Sequence, residues 1–281
     1  MTIKRLCAPP GNPDAPPGLS STFFHHDLHE GDIVDVKAPT GSFCLDLAEH
    51  RPVVLIAGGV GVTPVFSMLK AICESGSKRE AWFFYGVRHS GEHVFREELE
   101  RFDTAHENVN VRACYDSPRT GDSLGVTHHV QERVSVDLLK RTLPSNNYEF
   151  YICGPPPMMS AITTDLAAWG VPEKDIHTEA FGAASVKKIE KPMAVTFPQP
   201  HVTFARTGKT VAWNGADNLL EFAEATGIRL DFGCRAGSCG TCVTAMKSGE
   251  VIYIRDPDTK PEAGSCLICV ARPKTDLVLD A

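Results

Sequence analysis

The feature that most constrains this chain is a short run with three cysteines, Cys234-Arg235-Ala236-Gly237-Ser238-Cys239-Gly240-Thr241-Cys242. A C-x4-C-x2-C spacing followed by a distant fourth cysteine is a pattern that holds a [2Fe-2S] cluster. Backbone amides must turn around the inorganic sulfides, and glycine adopts the positive φ values this needs without strain. Gly233, Gly237 and Gly240 meet that need. The competing zinc ribbon normally shows two C-x2-C pairs and this segment shows one, so we predict a cluster.

Two cysteines compete for the fourth ligand position, Cys266 and Cys269. The segment that holds them, Ser265-Cys266-Leu267-Ile268-Cys269-Val270-Ala271-Arg272-Pro273, resembles the end of plant-type ferredoxins, where the ligand precedes Val-Ala-x-Pro. That resemblance selects Cys269. On this register Cys266 is a strand residue with its side chain on the opposite face, and we expect it to be a small buried hydrophobe. The predicted metal ligands are Cys234, Cys239, Cys242 and Cys269.

Length and composition limit the class of protein. A chain of 281 residues suggests about two domains, and 42% hydrophobic with 22% charged residues is ordinary for a globular protein. No apolar run approaches the ~20 residues that span a bilayer, and the N-terminus lacks a signal-peptide core, so we expect a cytoplasmic protein without a membrane span. Ten cysteines in that compartment stay reduced unless they hold metal. A net charge of −7 without a basic patch argues against nucleic acid as a partner.

The composition changes near residue 184, where a small, charged, proline-ended stretch is typical of a linker. We place the linker at residues 184–197 and a separate domain at 198–281. In that domain His201 to Trp213 predicts a β-hairpin, and Asn218 is predicted to cap a helix. A hairpin, a helix and a cysteine loop in this order resemble the β-grasp ferredoxin fold.

A second motif lies at Val53-Val54-Leu55-Ile56-Ala57-Gly58-Gly59-Val60-Gly61-Val62-Thr63-Pro64. A continuous apolar run before a glycine loop predicts a buried parallel strand that enters a nucleotide-binding turn. We expect Thr63 to cap the helix that follows and Pro64 to take its first position. Because Pro64 replaces the third glycine of the dinucleotide fingerprint, the loop by itself also fits any tight strand-to-helix turn.

Further alternation supports a nucleotide domain. Strands are predicted at 80–88, 110–115 and 148–153, and a charged helix at 95–102. The last strand ends in Cys153-Gly154-Pro155, before another helix. Alternating strands and helices predict a doubly wound parallel sheet whose ligand site lies at the carboxyl ends of the strands.

Residues 51–183 resemble the pyridine-nucleotide domain of the ferredoxin-NADP reductase superfamily, which carries G-G-x-G-x-x-P after one strand and C-G-P after a later one. The end of this segment, Ile176 to Gly182, resembles the C-terminal end of the reductase domains of flavohaemoglobins and oxygenase systems. The resemblance implies that nucleotide and flavin are bound by Gly58, Gly59, Gly61, Thr63, Gly154, Pro155 and Phe181. It implies that the reacting centre is bordered by Thr63, Cys153 and Glu179. The alternative for Cys153 is a buried thiol at a strand end.

The order of the domains resembles single-chain reductases that serve Rieske-type oxygenases. A nicotinamide delivers two electrons as hydride and the cluster accepts one, so a flavin, here FAD, is expected between them. Residues 1–50 resemble only part of the flavin barrel, and its Arg-x-Tyr-Ser motif is absent. We predict strands at 2–6, 32–37 and 43–47 and a short helix at Gly18-Leu19-Ser20-Ser21, with Ser21 at the FAD pyrophosphate. Such a partial barrel fits a chain that begins upstream, one completed by another polypeptide, or one that has lost flavin.

Two smaller signals remain, one for the nucleotide and one for a histidine pair without a carboxylate at metal-ligand spacing. Asp116 would repel the 2′-phosphate of NADPH and so favours NADH, although Arg119 nearby could reverse this preference. His128 and His129 are expected to form a surface pair in a loop.

The sequence therefore predicts an α/β plus α+β protein with a partial flavin barrel, a parallel-sheet NAD(P)-binding domain and a C-terminal β-grasp domain. The predicted function is an NAD(P)H-dependent iron-sulfur flavoprotein reductase that passes electrons to a separate protein such as an oxygenase or a haem protein. One alternative is a non-catalytic electron-carrier subunit, or a truncated reductase that needs another chain. A further alternative, from the flavohaemoglobin resemblance, is a component of nitric oxide detoxification.

Overall fold

The structure is a computed structural model that describes residues 2–8, 12–36, 41–181, 200–257 and 259–281. The chain divides into two compact units, Met1–Pro39 and Thr40–Ala281. The predicted linker at 184–197 lies outside the described residues, and the predicted domain boundaries remain predictions. None of the helices in the described ranges has both the length and the apolar character to cross a membrane.

The smaller unit contains the predicted short helix but not the predicted strands. Helix α1 spans Leu19–Thr22 and continues as a π-helical turn, Phe23–Asp27. Within the described residues no strand forms at 2–6 or 32–36, and none forms at 43–47 in the larger unit. The prediction of barrel strands is therefore wrong for these residues. A strand is stable only when neighbouring strands hydrogen-bond to its backbone. Ile33, in one of the expected strands, is 95% exposed and is therefore not packed inside a barrel.

The larger unit begins with a parallel five-stranded sheet in the order β3-β2-β1-β4-β5. The strands are β1 Val53–Gly58, β2 Ala81–Val87, β3 Val109–Tyr115, β4 Glu149–Cys153 and β5 Ile176–Glu179. The connecting helices are α2 Val62–Glu74, α3 Arg96–Ala105, α4 Val136–Thr142 and α5 Pro156–Ala168. Short 3-10 turns occur at Gly59–Gly61, Ser90–Glu92 and Glu173–Asp175. This confirms the predicted parallel sheet.

The alternation of side chains along β1 divides its residues between two cores. Val53, Leu55 and Ala57 pack with α2 and α3 on one face, and Val54 and Ile56 pack with α4 and α5 on the other. Because helices cover both faces, all six residues of β1 are buried, as its continuous apolar run requires.

Helix α2 begins earlier than predicted. Its N-cap is Gly61, so Pro64 is the third helical residue and Thr63 is already inside the first turn. The Thr63 hydroxyl donates to the carbonyl of Val60 at 3.1 Å. The expectation that Thr63 caps the helix is wrong, because the 3-10 turn Gly59–Gly61 leads directly into the helix. Pro64 is still tolerated, since amides of the first helical turn have no intrahelical partner.

The C-terminal part of the larger unit has a mixed sheet in the order β10-β8-β12-β6-β7 and a two-stranded sheet of β11 and β9. The strands are β6 His201–Phe204, β7 Lys209–Ala212, β8 Val243–Ser248, β9 Val251–Tyr253, β10 Ser265–Leu267, β11 Ala271–Pro273 and β12 Leu277–Leu279. Helix α6 spans Leu219–Ala225. The antiparallel pair β6 and β7 confirms the predicted hairpin.

Asn218 caps α6 as predicted. Its side-chain oxygen accepts a hydrogen bond from the Glu221 amide at 2.9 Å. Leu219, Leu220 and Phe222 follow at once and enter the core that also contains Cys266 and Cys269. The cap therefore fixes where the apolar face of α6 meets the strands that carry the cysteines.

Replacing Asn218 by alanine is expected to destabilise this domain by about 1 kcal/mol, because an amide of the first helical turn loses its acceptor. Asn218→Asp keeps the acceptor and is expected to behave as wild type. The measurement is the midpoint of thermal bleaching of the visible absorbance of the cluster-loaded protein. Equal midpoints for wild type and Asn218→Ala would contradict this assignment.

Candidate functional site

Two glycine loops meet at the carboxyl ends of β1 and β4. A Cβ added to Gly61 would lie 2.1 Å from the Cys153 carbonyl oxygen and 2.6 Å from the Gly154 nitrogen. A Cβ on Gly154 would lie 3.1 Å from the Gly58 nitrogen. The loops therefore touch backbone to backbone, and the structure brings Gly58, Gly61, Cys153 and Gly154 together as the sequence motifs predicted.

The first loop also offers a place for phosphate. Gly59 has φ +52°, and nothing lies within 4 Å of the position of an added Cβ. The turn leads directly into α2, whose first amides have no partner inside the helix. A helix start of this kind stabilises negative charge, so this edge fits the pyrophosphate of a dinucleotide.

The loop after β4 places Met158 and Pro155 against Gly58, a contact that the sequence motifs did not identify. The Sδ atom of Met158 would lie 2.6 Å from a Cβ on Gly58, and Cδ of Pro155 would lie 2.7 Å from it. Met158 sits in the first turn of α5, so the end of Cys153-Gly154-Pro155-Pro156-Pro157-Met158 folds back on the first glycine loop. The signal available in the sequence was the helix expected directly after this proline run.

Cys153 and Glu179 lie opposite each other on β4 and β5. Cys153 is 1% exposed, and burial, followed by the nearby charge of Glu179, raises the pKa of its thiol to about 12. Its environment is that of the alternative, a buried thiol at a strand end, and burial disfavours its thiolate form. Phe181 follows β5 and is 45% exposed.

The four cysteines predicted as cluster ligands form two pairs. The Cys234 amide donates to the Cys239 sulfur at 3.3 Å, and the Cys239 amide donates to the Cys234 sulfur at 3.4 Å. The sulfurs of Cys242 and Cys269 lie 3.1 Å apart. A [2Fe-2S] cluster has four cysteine ligands shared by two irons, so two pairs fit it.

Hydrogen bonds in the loop favour thiolate. Burial opposes ionisation of Cys234, but the Ser238 hydroxyl and the amides of Ala236, Cys239 and Ser238 lower its pKa to about 7. The hydrogen bond between Cys242 and Cys269 lowers the pKa of Cys242 and raises that of Cys269, because the two sulfurs share one proton. Such a loop is suited to bind metal as thiolate.

Cys266 differs from the proposed ligands. It is fully buried among the residues of the C-terminal core, and burial alone raises the pKa of its thiol to about 12. This is the environment expected for a small core hydrophobe.

Two hydroxyls near the cysteines were not predicted. The hydroxyl of Ser238 lies 3.4 Å from the Cys234 sulfur, and that of Thr241 lies 3.3 Å from the Cys239 sulfur. Both residues stand inside the cysteine run, which was the only sequence signal for them.

The hydroxyl of Ser21 is hydrogen-bonded to the chain around α1. Its only hydroxyl hydrogen donates to the Gly18 carbonyl at 3.0 Å, and its oxygen accepts from the Leu6 amide at 3.1 Å. A pyrophosphate requires hydrogen donors, so the hydroxyl is already used to hold the chain around α1. The placement of Ser21 at a flavin pyrophosphate stays a prediction, which rests on the backbone amides at the start of α1.

The carboxylate of Asp116, the sequence signal for NADH, has two partners in the structure. The carboxylate of Asp116 pairs with Nε of Arg133 at 2.8 Å and accepts a hydrogen bond from the Ser117 hydroxyl at 3.0 Å, which offsets its negative charge.

His128 is 2% exposed, so the expectation that His128 and His129 form a surface pair is wrong at His128. Its ring stacks on Tyr115 at 4.5 Å, which is a tertiary contact that no local pattern indicates.

Comparison with known proteins assigns both halves. Residues 55–164 match the family model of the oxidoreductase NAD-binding domain, and residues 202–274 match that of the 2Fe-2S iron-sulfur cluster binding domain. The chain joins an NAD-binding oxidoreductase domain to a 2Fe-2S domain. This confirms the recognition of a ferredoxin-NADP reductase type of domain fused to a ferredoxin.

The flavohemoprotein of Halalkalibacterium halodurans is 36% identical over 66% of this chain and 44% of its own length. The chain therefore spans less than half of the curated relatives it matches. The structure of phthalate dioxygenase reductase is similar to this chain, with 26% identity and a TM-score of 0.53. The match covers 93% of this chain and 74% of that protein, which is described as a modular structure for electron transfer from pyridine nucleotides to [2Fe-2S]. The structure of an intact type IV self-sufficient cytochrome P450 monooxygenase is also similar, with 25% identity and a TM-score of 0.66. The match covers 98% of this chain and 34% of that protein's chain.

We predict that Cys269→Ser destroys or badly destabilises the cluster and that Cys266→Ser leaves it nearly intact, because only the former loses a metal ligand. The measurement is the visible absorbance of each purified variant against its iron content. Bleaching in Cys266→Ser with a normal spectrum in Cys269→Ser would show that the register is wrong.

Gly61→Ala is expected to cost about 3 kcal/mol of stability, because its Cβ would overlap backbone atoms that cannot yield without parting β1 from β4. Gly86→Ala is the control. Its Cβ would lie 3.2 Å from the Val134 side chain, which can shift, so a loss of about 1 kcal/mol or less is expected. Urea unfolding followed by tryptophan fluorescence compares the two variants, and equal losses would contradict the close contact.

Proposed function

We propose that this protein is an NAD(P)H-dependent electron-transfer reductase that delivers single electrons from a [2Fe-2S] cluster to a separate acceptor protein. The observation that carries the proposal is that one chain holds a glycine-lined nucleotide edge and two cysteine pairs suited to a cluster. Nicotinamide releases two electrons together and the cluster takes one at a time. FAD, when bound, supplies the conversion between the two.

The residues of the nucleotide edge have distinct roles in this proposal. The turn Gly59–Gly61 and the start of α2, with Thr63, hold the pyrophosphate, while Gly58 permits the approach of the second loop. Cys153, Gly154 and Pro155 border the nicotinamide. Cys153 acts through its shape and its protonated state, since its thiol is buried.

Glu179 and Phe181 would contribute to the side of the site that faces a flavin. Glu179 lies next to Cys153 across the β4 and β5 pair, and Phe181 leaves an aromatic surface 45% exposed just beyond the strand. None of the ten cysteines, all of which lie in the described residues, forms a disulfide, which suits a reducing cytoplasmic setting.

An oxygenase or a haem protein is the proposed acceptor. The supporting observation is that structures named phthalate dioxygenase reductase and cytochrome P450 monooxygenase match both halves of this chain at once. NADH is slightly favoured over NADPH as the electron donor. The reason is that the Asp116 carboxylate lies at the end of β3, even though Arg133 pairs with it.

A second candidate is a subunit that carries electrons but needs another chain to accept hydride. Two observations favour it. The described residues 2–8, 12–36 and 41–52 contain no strand, and Ser21 has no free hydrogen for a pyrophosphate. In this candidate the cluster has the same four ligands, while a tightly held flavin is missing.

Reduction of the cluster by NADH with added FAD separates the two candidates, and the flavin-to-iron ratio of the purified chain measures how tightly flavin is held. We expect iron and sulfide in the ratio of a [2Fe-2S] cluster, and flavin far below one per chain after gel filtration, because the described N-terminal residues offer no barrel. With FAD added, NADH is expected to bleach the visible band of the cluster, and NADPH to do so more slowly. Stoichiometric flavin that survives gel filtration would contradict the incomplete site. Reduction by dithionite but not by NADH with FAD would favour the carrier subunit.

A further inference from the structure

The hydroxyl of Tyr85 is a polar atom on an otherwise apolar strand. Strand β2 has the sequence Ala-Trp-Phe-Phe-Tyr-Gly-Val, and Tyr85 is fully buried. Its neighbour on the same face is Phe83, whose ring lies 6.4 Å away in a T-shaped contact. A phenylalanine at position 85 would fill the same core volume, so packing alone does not account for the hydroxyl.

That hydroxyl bridges two loops at the carboxyl edge of the sheet. It lies 3.4 Å from the carbonyl oxygen of Gly59 and 3.4 Å from that of Glu92. Burial raises the pKa of Tyr85, so the hydroxyl keeps its hydrogen and donates. One hydrogen is thus shared between the glycine turn after β1 and the turn Ser90–Glu92 after β2.

The ring of Tyr85 is held in place by its neighbours. The ring of His93 meets it at 5.2 Å and 74°, and Nδ1 of His93 lies 2.9 Å from the hydroxyl of Tyr115. Burial, together with the charge of Arg96, lowers the pKa of His93 to about 4, so the imidazole is neutral. Packed rings therefore continue from beneath the Gly59 turn to the end of β3 and fix the direction of the Tyr85 hydroxyl.

We propose that Tyr85 is a positioning residue for the nucleotide, which sets the separation of the Gly59–Gly61 and Ser90–Glu92 turns without touching the ligand. Both turns lie at the carboxyl ends of neighbouring parallel strands, where such sheets bind nucleotides. Each carbonyl also accepts a hydrogen bond from a backbone amide within its own turn, the Glu92 carbonyl from Val94 at 3.1 Å and the Gly59 carbonyl from an amide at the end of its 3-10 turn. Loss of the Tyr85 hydroxyl therefore leaves each turn internally bonded but removes the hydrogen bond that joins the two turns. This inference rests on the proposed function, because it assigns NAD(P)H to that edge.

The test is Tyr85→Phe in the full chain, measured by the dissociation constant for NADH from nucleotide fluorescence. One buried hydrogen bond corresponds to a weakening of about 3-fold to 10-fold. Tyr151→Phe is the matched control, because Tyr151 is also buried in this sheet but packs on Phe43 and His177. It is expected to bind NADH as wild type does.

A second readout does not depend on nucleotide binding. In the nucleotide-free protein, hydrogen-deuterium exchange of peptides covering residues 55–65 and 88–95 is expected to be faster in Tyr85→Phe and unchanged in Tyr151→Phe. Wild-type binding and exchange in Tyr85→Phe would overturn the inference, and so would equal weakening in both variants. If wild type itself fails to bind NADH, the proposed function fails, and the exchange data alone decide whether Tyr85 positions the two turns.

Discussion

The contact between the backbones at Gly61 and Cys153 is the constraint on which the nucleotide half depends. With 2.1 Å between a would-be Cβ and a carbonyl oxygen, no side chain fits there, and the loops after β1 and β4 close on each other. These strands are neighbours in the sheet order, at the point where the chain reverses its direction of winding. In open parallel sheets that point opens a crevice at the carboxyl ends, so this contact also locates the candidate nucleotide site.

In the C-terminal 2Fe-2S domain, glycines again permit a backbone arrangement that most other residues would not. Gly237 and Gly240 have φ values of +82° and +71°, which lets the loop turn its amides and hydroxyls toward the sulfurs. Arg235 shares this conformation at φ +54° and is held by its ion pair with Glu224 and by stacking over Phe232 at 3.9 Å. The fourth cysteine comes from the strand region of the core, so the loop is tied to the fold through Cys242 and Cys269.

Beneath the nucleotide edge lies a layer of polar rings that a purely apolar core would not contain. Tyr85 contacts His93, His93 contacts Tyr115, and Tyr115 stacks on His128. The pKa values of Tyr85 and His93 are shifted toward their neutral forms. The hydroxyls of Tyr85 and Tyr115 and the Nδ1 atoms of both histidines are hydrogen-bonded, whereas Nε2 of His93 and of His128 has no partner among the described residues. Hydrogen bonds of this kind between loops hold them in one arrangement. Here the loops held are those that border the candidate site.

The sequence by itself determined the parts whose chemistry is local. The cysteine spacing indicated the cluster, the apolar run before Gly58 indicated a central buried strand, and Asn218 indicated the start of α6. Each rests on residues close together in the chain, where spacing and backbone preference act directly.

Only the tertiary structure decided the rest, because the deciding partners are distant in sequence. The expected strands of the first fifty residues have no ladder neighbours in the described ranges, and the Ser21 hydroxyl is taken by Leu6 and Gly18. The start of α2 is set by the turn that leads into it, and Thr63 binds back to Val60 instead of capping. The burial of His128 and the two carbonyls under the Tyr85 hydroxyl depend on how separate loops pack, which no local pattern encodes.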